Sequence, residues 1–162
     1  MWVTRQPAWP KGVSTVMRWV AKEPELAHLP LAGLGFCFGG HLAWHLAMRP
    51  ELKATVSFYG ARVSNFSPGG GAPTLQLAAE IPGRLLVWLG ADDPLMPAQE
   101  QQAIRAALEA ADPSAERLQC RIAPEAGHGF MCSHRSDFHP EAAQQGWQSL
   151  LELLDQVAEA EA

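Results

Sequence analysis

Apolar residues recur along this chain in two alternating patterns, one with the spacing of a helix and one as short uninterrupted runs. The short runs predict buried strands at 29–36, 54–59, 84–89 and 117–123. Apolar residues three and four apart predict helices at 13–23, 39–48, 97–111 and 140–160, with a shorter helical segment at 74–80. Because strands and helices alternate, the sequence predicts an α/β fold: a mainly parallel sheet with helices on both faces.

One segment interrupts this alternation. Between 61 and 73 the chain carries three consecutive glycines, Gly69 to Gly71, with Pro68 and Pro73 around them, which predicts a surface loop. We find no internal repeat and no domain linker, so we expect one domain over 1–162. A chain of this length can bury a core without disulfide or metal support.

Composition and charge narrow the classes of function. The chain has 12 basic and 17 acidic residues, a formal net charge of −5, which argues against nucleic acid or an anionic membrane as a partner. No apolar run approaches the roughly 20 residues that span a bilayer, and the first residues do not resemble a signal peptide. Three cysteines without a framework spacing are typical of a reducing compartment, so we expect a cytoplasmic protein.

The chemistry-bearing motif lies between the first predicted strand and the helix at 39–48. Gly35-Phe36-Cys37-Phe38-Gly39 has the form of a nucleophile elbow, Gly-x-Ser/Cys-x-Gly. Such a turn brings neighbouring chain so close that we expect only glycine to fit on either side of the nucleophile. The N-terminus of the helix also favours a thiolate at Cys37. The alternative is a buried structural cysteine, which is common for this residue type.

A cysteine nucleophile needs a base and an acid that orients the base. Asp92 and Asp93 follow the strand at 84–89, and His128 follows the strand at 117–123, so all should reach the same sheet edge as Cys37. Either aspartate could instead be only a turn former before the next helix. We interpret the remaining histidines as surface or packing residues; these are His28, His41, His45, His134 and His139.

A metal site is the other interpretation of the C-terminal part of the chain. Five possible ligands fall within twenty residues, namely Cys120, His128, Cys132, His134 and His139. Their spacings match no paired-ligand pattern, and Cys120 lies inside a predicted strand. We therefore expect no metal and no cofactor.

Four motifs in order resemble the dienelactone hydrolase family of α/β-hydrolases, and the likeness runs from about Val13 to the C-terminus. They are Gly35-Phe36-Cys37-Phe38-Gly39-Gly40, Phe58-Tyr59-Gly60, Gly90-Ala91-Asp92-Asp93 with Pro97, and Gly127-His128-Gly129-Phe130. The resemblance implies a three-layer sandwich with Cys37 as nucleophile, Asp93 rather than Asp92 as acid, and His128 as base. It also implies hydrolysis of a small carboxylic ester or lactone through an acyl-cysteine, with the Phe38 N–H supplying half of the oxyanion hole.

The chain departs from the family in length. Only 36 residues precede Cys37, whereas the family carries about half of its sheet, a second oxyanion N–H and a glutamate in that part. We therefore expect an N-terminally truncated domain in which the strand at 31–36 is an exposed apolar edge. The hypotheses are a truncated gene product or a homo-oligomer formed through that edge. One alternative function is a non-catalytic or partially active remnant that acts as an interaction protein. Another is a serine-hydrolase-like thioesterase or peptidase on the same fold.

A second departure concerns the substrate. In dienelactone hydrolases an arginine four residues after the histidine helps to hold the substrate carboxylate, and that position here is Cys132. Arg135 lies nearby in the sequence. Dienelactone itself is therefore not the substrate that we predict.

Overall fold

The computed structural model describes residues 9–160, and these form a parallel sheet packed between helices. The sheet has four strands in the order β1-β2-β3-β4, and all three neighbouring pairs are parallel. The strands are β1 Leu31–Phe36, β2 Leu52–Phe58, β3 Arg84–Gly90 and β4 Leu118–Ala123. The helices are α1 Trp9–Val20, α2 Phe38–Ala47, α3 Ala98–Ala111 and α4 Pro140–Ala160, with a 3-10 helix at Thr74–Glu80.

Successive side chains of a strand point to opposite faces, and β3 shows how this builds two cores. Leu85, Val87 and Leu89 pack with residues of α2, α3 and the 3-10 helix on one face. Leu86 and Trp88 pack with residues of α4 on the other face. The predicted α/β sandwich with helices on both faces is therefore confirmed.

Every predicted strand and helix is present, with shifts at the ends. The expectation of a buried strand is wrong for β1, where only Gly35 is buried. The largest shift is in the first helix, which we predicted at 13–23 and which runs over Trp9–Val20. Proline is tolerated in the first turn of a helix because the N–H that it lacks has no intrahelical acceptor there, so Pro10 is compatible with the earlier start. No described helix combines the length and apolar character needed to cross a membrane.

The sheet has an apolar edge at β1. Among the described residues β1 pairs only with β2, so one side of its backbone has no strand beside it. Leu34 is 43% exposed and Phe36 is 37% exposed, and the Phe36 ring lies 6.2 Å from the ring of Trp147 on α4. Leu151 and Leu154 follow Trp147 on α4 by four and seven residues, a spacing that places them on the same side of the helix. We call the exposed side chains of Leu34, Phe36, Trp147, Leu151 and Leu154 the β1 edge patch.

Candidate active site

Cys37 occupies the sharp turn between β1 and α2. Its backbone has φ 54° and ψ −121°, a left-handed conformation that is rare for any residue other than glycine. Two hydrogen bonds hold this turn: the Cys37 N–H donates to the Phe58 carbonyl at 3.1 Å, and the Cys37 carbonyl accepts from the His41 N–H at 3.1 Å. The thiol is exposed, so the alternative of a buried structural cysteine is wrong.

The glycines around the elbow have unequal roles. A Cβ at Gly35 would overlap the Gly39 carbonyl oxygen, and a Cβ at Gly40 would lie 2.5 Å from the Phe58 carbonyl oxygen. A Cβ at Gly39 would meet nothing within 4 Å. Our expectation that only glycine fits on either side of the nucleophile is therefore wrong at Gly39. The crowded position is one residue later, where α2 lies against the end of β2.

Cys37, His128 and Asp93 form one chain of side-chain contacts. His128 Nε2 lies 3.0 Å from Cys37 Sγ, and His128 Nδ1 lies 2.8 Å from Asp93 Oδ2. A carboxylate can only accept a hydrogen bond, so Nδ1 carries the proton that points to Asp93. In the neutral ring, Nε2 then presents its lone pair to the thiol. The three predicted site residues are thus brought together from three separate loops.

The structure also distinguishes the two aspartates. The Asp93 side chain is fully buried, and its second oxygen, Oδ1, accepts the Leu95 N–H at 2.8 Å. Asp92 is exposed, and its backbone N–H donates to the Ala126 carbonyl at 3.0 Å. Only Asp93 therefore contacts His128 within this arrangement.

Gln101 on α3 supports the loop that carries Asp93, and the sequence analysis did not single it out. Its side-chain amide lies 2.8 Å from the Met96 carbonyl oxygen and 3.3 Å from those of Gly90 and Ala91. This buried amide joins the end of β3 to the start of α3 on either side of Asp93. A glutamine on a helix gives no sequence signal for such a role, because the role depends on burial.

Tyr59 lies beside the imidazole, directly after β2. Its ring centroid is 5.1 Å from that of His128 and 5.2 Å from that of Phe130. Burial, together with the neighbouring thiols of Cys132 and Cys37, raises the pKa of Tyr59 to about 12. The phenol therefore stays protonated at neutral pH and can act as a hydrogen-bond donor. In the sequence, Tyr59 is part of the motif Phe58-Tyr59-Gly60, which does not indicate a role for it.

Arg135 and Cys132 lie in the loop that follows His128. Cys132 is exposed, and its backbone N–H donates to the Gly129 carbonyl at 2.8 Å. The Arg135 guanidinium is engaged by Asp137, with Nε 2.8 Å from Oδ1 and Nη2 3.1 Å from Oδ2. The nearby cation is therefore already paired with a carboxylate of the same loop.

His41 meets Cys37 through its backbone N–H, whereas its side chain has other partners. His41 is 1% exposed on α2 and contacts the Ala61 carbonyl and the Thr74 hydroxyl, each at 2.8 Å. Its interpretation as a packing residue is confirmed. Within residues 9–160 no three His, Cys, Asp or Glu side chains are grouped so that they could hold a metal ion.

Comparison with known proteins identifies the family to which this sequence belongs. The sequence model of the dienelactone hydrolase family matches residues 4–158. The chain belongs to the dienelactone hydrolase family. This membership covers all four motifs from the elbow to the His128 loop.

Curated relatives are longer than this chain. The "Putative carboxymethylenebutenolidase" of Yersinia pestis is 37% identical over 127 residues, which are 78% of this chain and 46% of that protein. The Salmonella typhimurium protein of the same name is 33% identical over 142 residues, 87% of this chain and 51% of that protein. The chain thus spans about half the length of the curated relatives that it matches.

Solved structures that share this fold are also longer than this chain. The Klebsiella pneumoniae protein named "Putative Dienelactone Hydrolase" superposes with a TM-score of 0.80 and 32% identity, over 90% of this chain and 59% of that chain. An acylaminoacyl peptidase of Pyrococcus horikoshii superposes with a TM-score of 0.69 over 91% of this chain and 27% of that chain. It is 16% identical, a similarity that shows the α/β-hydrolase fold alone.

Proposed function

We propose that the chain hydrolyses small carboxylic esters or lactones through an acyl-cysteine formed on Cys37. The observation that carries this proposal is the contact chain from Cys37 Sγ to His128 Nε2 at 3.0 Å and from His128 Nδ1 to Asp93 Oδ2 at 2.8 Å. A nucleophile, a base and an acid that orients the base are the parts that acyl transfer requires. The dienelactone hydrolase family supplies the reaction class.

The reaction follows from the direction of these contacts. His128 takes the thiol proton, and the Cys37 sulfur attacks the ester carbonyl to form a tetrahedral oxyanion. Phe38 begins α2 directly after Cys37, so its N–H belongs to the first turn, where N–H groups lack intrahelical acceptors. That N–H stabilises the oxyanion. Asp93 orients His128 and stabilises its cation.

Collapse of the first intermediate breaks the C–O bond, and His128 returns its proton to the leaving alkoxide. A water molecule then gives a proton to His128 and attacks the acyl-cysteine. Breaking the C–S bond releases the carboxylic acid and restores the thiol. No external oxidant, reductant or metal takes part in these steps.

Replacement of the nucleophile tests the proposal. Cys37→Ala should lower kcat/KM for a chromogenic ester such as p-nitrophenyl acetate by about 1,000-fold or more, because the acyl-enzyme cannot form. Cys120→Ala is the control, since Cys120 lies in β4 and burial raises the pKa of its thiol to about 12. Turnover by Cys37→Ala equal to that of the wild type would refute the nucleophile assignment.

The alternative is a non-catalytic or partially active remnant that acts as an interaction protein. The observation that favours it is the β1 edge patch, an exposed apolar surface. Iodoacetamide alkylation separates the two proposals. Cys37 and Cys132 are both exposed, so a Cys37 that reacts about tenfold faster at pH 7 indicates activation by His128. Equal rates favour the remnant.

We propose further that the β1 edge patch is where a second copy of the chain associates. An unpaired strand edge flanked by exposed apolar side chains is a ready template for another chain. A small-molecule ester or lactone is then the only other partner that we propose.

A further inference from the structure

The segment that presents His128 has little regular structure of its own. It connects β4, which ends at Ala123, to α4, which begins at Pro140, through a series of turns. Glycines on both sides of the histidine, Gly127 and Gly129, add backbone freedom at the point where the imidazole must be held. Asp93 orients the ring through Nδ1, but that single contact does not fix the backbone of the segment.

An ion pair from the same segment packs directly on this backbone. The Asp137 Oδ2 atom accepts the Gly129 N–H at 2.8 Å. Arg135 donates to both carboxylate oxygens of Asp137, at 2.8 and 3.1 Å. A Cβ at Gly127 would lie 3.1 Å from the Asp137 Cβ, and a Cβ at Gly129 would overlap the Arg135 side chain. The pair therefore occupies the space beside both glycines that flank His128.

The charge of Asp137 keeps its hydrogen bond to the Gly129 N–H in place at neutral pH. The hydrogen bond from Arg135 lowers the pKa of Asp137 to about 2, so the carboxylate is ionised throughout the neutral range. An ionised acceptor makes a shorter and stronger bond to a backbone N–H than a neutral acceptor does. The Arg135 side chain is 55% exposed, and solvent screens such a pair, so its main effect is on geometry rather than on global stability.

We propose that Asp137, held in place by Arg135, is a positioning residue that keeps the His128 loop at the distance from Cys37 that proton transfer needs. Asp137 acts through the Gly129 N–H and does not contact the reacting atoms. The proposal rests on the proposed function, because the group that Asp137 positions is the base of that reaction.

The test is Asp137→Ala, measured by turnover and by iodoacetamide alkylation of Cys37 at pH 7, with mass spectrometry to identify the labelled thiol. We expect kcat to fall by about 10- to 100-fold with KM within about threefold, because the base is displaced while the substrate site is kept. Alkylation of Cys37 should slow by about tenfold. Asp137→Asn keeps an oxygen for the Gly129 N–H, so it should recover most of both rates.

The matched control is Asp112→Ala. The Asp112 carboxylate also accepts backbone N–H groups, from Arg117 at 2.7 Å and Leu118 at 2.9 Å, but it does so where the chain enters β4. Hydrogen bonds from Leu118 and Arg117 likewise lower the pKa of Asp112 to about 2. The control should keep kcat and the Cys37 alkylation rate within about twofold of the wild type, since it leaves the His128 loop intact.

Alkylation in a folded Asp137→Ala protein within twofold of the wild-type rate overturns the proposal. An equal loss in Asp112→Ala also overturns it, because the effect would then be one of general stability. Where Asp137→Ala does not fold, Arg135→Ala decides: slower alkylation of Cys37 supports the proposal, and an unchanged rate overturns it. Alkylation does not depend on turnover, so failure of the proposed ester hydrolysis is recognised separately by Cys37→Ala.

Discussion

At the scale of single residues, the partner of an imidazole nitrogen shows where the ring proton lies. A partner that can only accept a hydrogen bond requires the proton on the nitrogen that faces it. The two Asp93 oxygens accept from His128 Nδ1 and from the Leu95 N–H, so each oxygen of the carboxylate has a donor. His41 follows the same logic. Its Nδ1 faces the Ala61 carbonyl, which can only accept, so the neutral ring carries its proton at Nδ1.

The buried His41 makes stability depend on pH. Burial lowers the pKa of His41 below its ordinary value of 6.5; the Ala61 carbonyl and Glu100 oppose the shift, and Arg62 adds to it. On acidification, the unfolded chain therefore binds a proton at a higher pH than the folded chain does. The free energy of unfolding falls as the pH falls below about 6.5, by at most about 1.4 kcal/mol per pH unit for one group. His45 adds to the effect, since burial and then His41 lower its pKa too.

We expect the His41→Asn protein to be less stable than the wild type at pH 7.5, yet to lose less further stability on acidification to pH 5.5. Urea denaturation at the two pH values measures both quantities. His28→Asn, at an exposed position, is the control and should keep the wild-type difference. A His41→Asn protein with the full wild-type difference would show that His41 does not contribute to it.

Sequence patterns predicted the residues that lie at the ends of strands. Cys37, Asp93 and His128 each follow a predicted strand, and the carboxyl ends of parallel strands meet at one edge, so their meeting could be predicted. The supporting residues could not. Gln101 acts through carbonyl groups up to 11 residues away, and Asp137 acts through a backbone N–H that eight residues separate from it, so neither leaves a motif.

At the scale of elements, the elbow depends on how closely β1, α2 and β2 approach each other. Gly40 on α2 lies against the end of β2, and Gly35 on β1 lies against the first turn of α2. Apolar runs and helical spacing predicted these elements from residues that are close in the sequence. They could not show which glycine is crowded, because crowding depends on the separation of elements that are distant in the chain.

Two alanine substitutions in the same motif should therefore act in opposite directions. Gly35→Ala places a Cβ onto backbone atoms of Gly39 and should destabilise the fold by about 3 kcal/mol or more. Gly39→Ala meets open space inside α2 and should stabilise the fold by about 0.5–1 kcal/mol, because alanine favours a helix over glycine. The free energy of unfolding in urea measures both. A Gly35→Ala protein as stable as the wild type would contradict the crowded elbow.

At the scale of the whole molecule, the two edges of the sheet differ. The edge strand β4 carries the polar residues Gln119 and Arg121, and the surface grooves beside it are lined by Arg105 and Glu109 of α3. Charged side chains of this kind discourage pairing between strand edges. Among residues 9–160, the edge at β1 is lined instead by the apolar β1 edge patch, which continues onto α4 through Trp147.

This asymmetry predicts association through β1 rather than through β4. The chain alone, 17.6 kDa, should elute with a larger mass in light scattering at micromolar concentration. Leu34→Lys combined with Leu151→Glu places charges on the strand and on the helix of the β1 edge patch, so it should restore the mass of one chain. Leu95→Lys, at a residue 55% exposed on the loop after β3, is the control and should leave the mass unchanged. A wild-type chain that is monomeric at every concentration tested and has full esterase activity would show that β1 does not associate with a second chain.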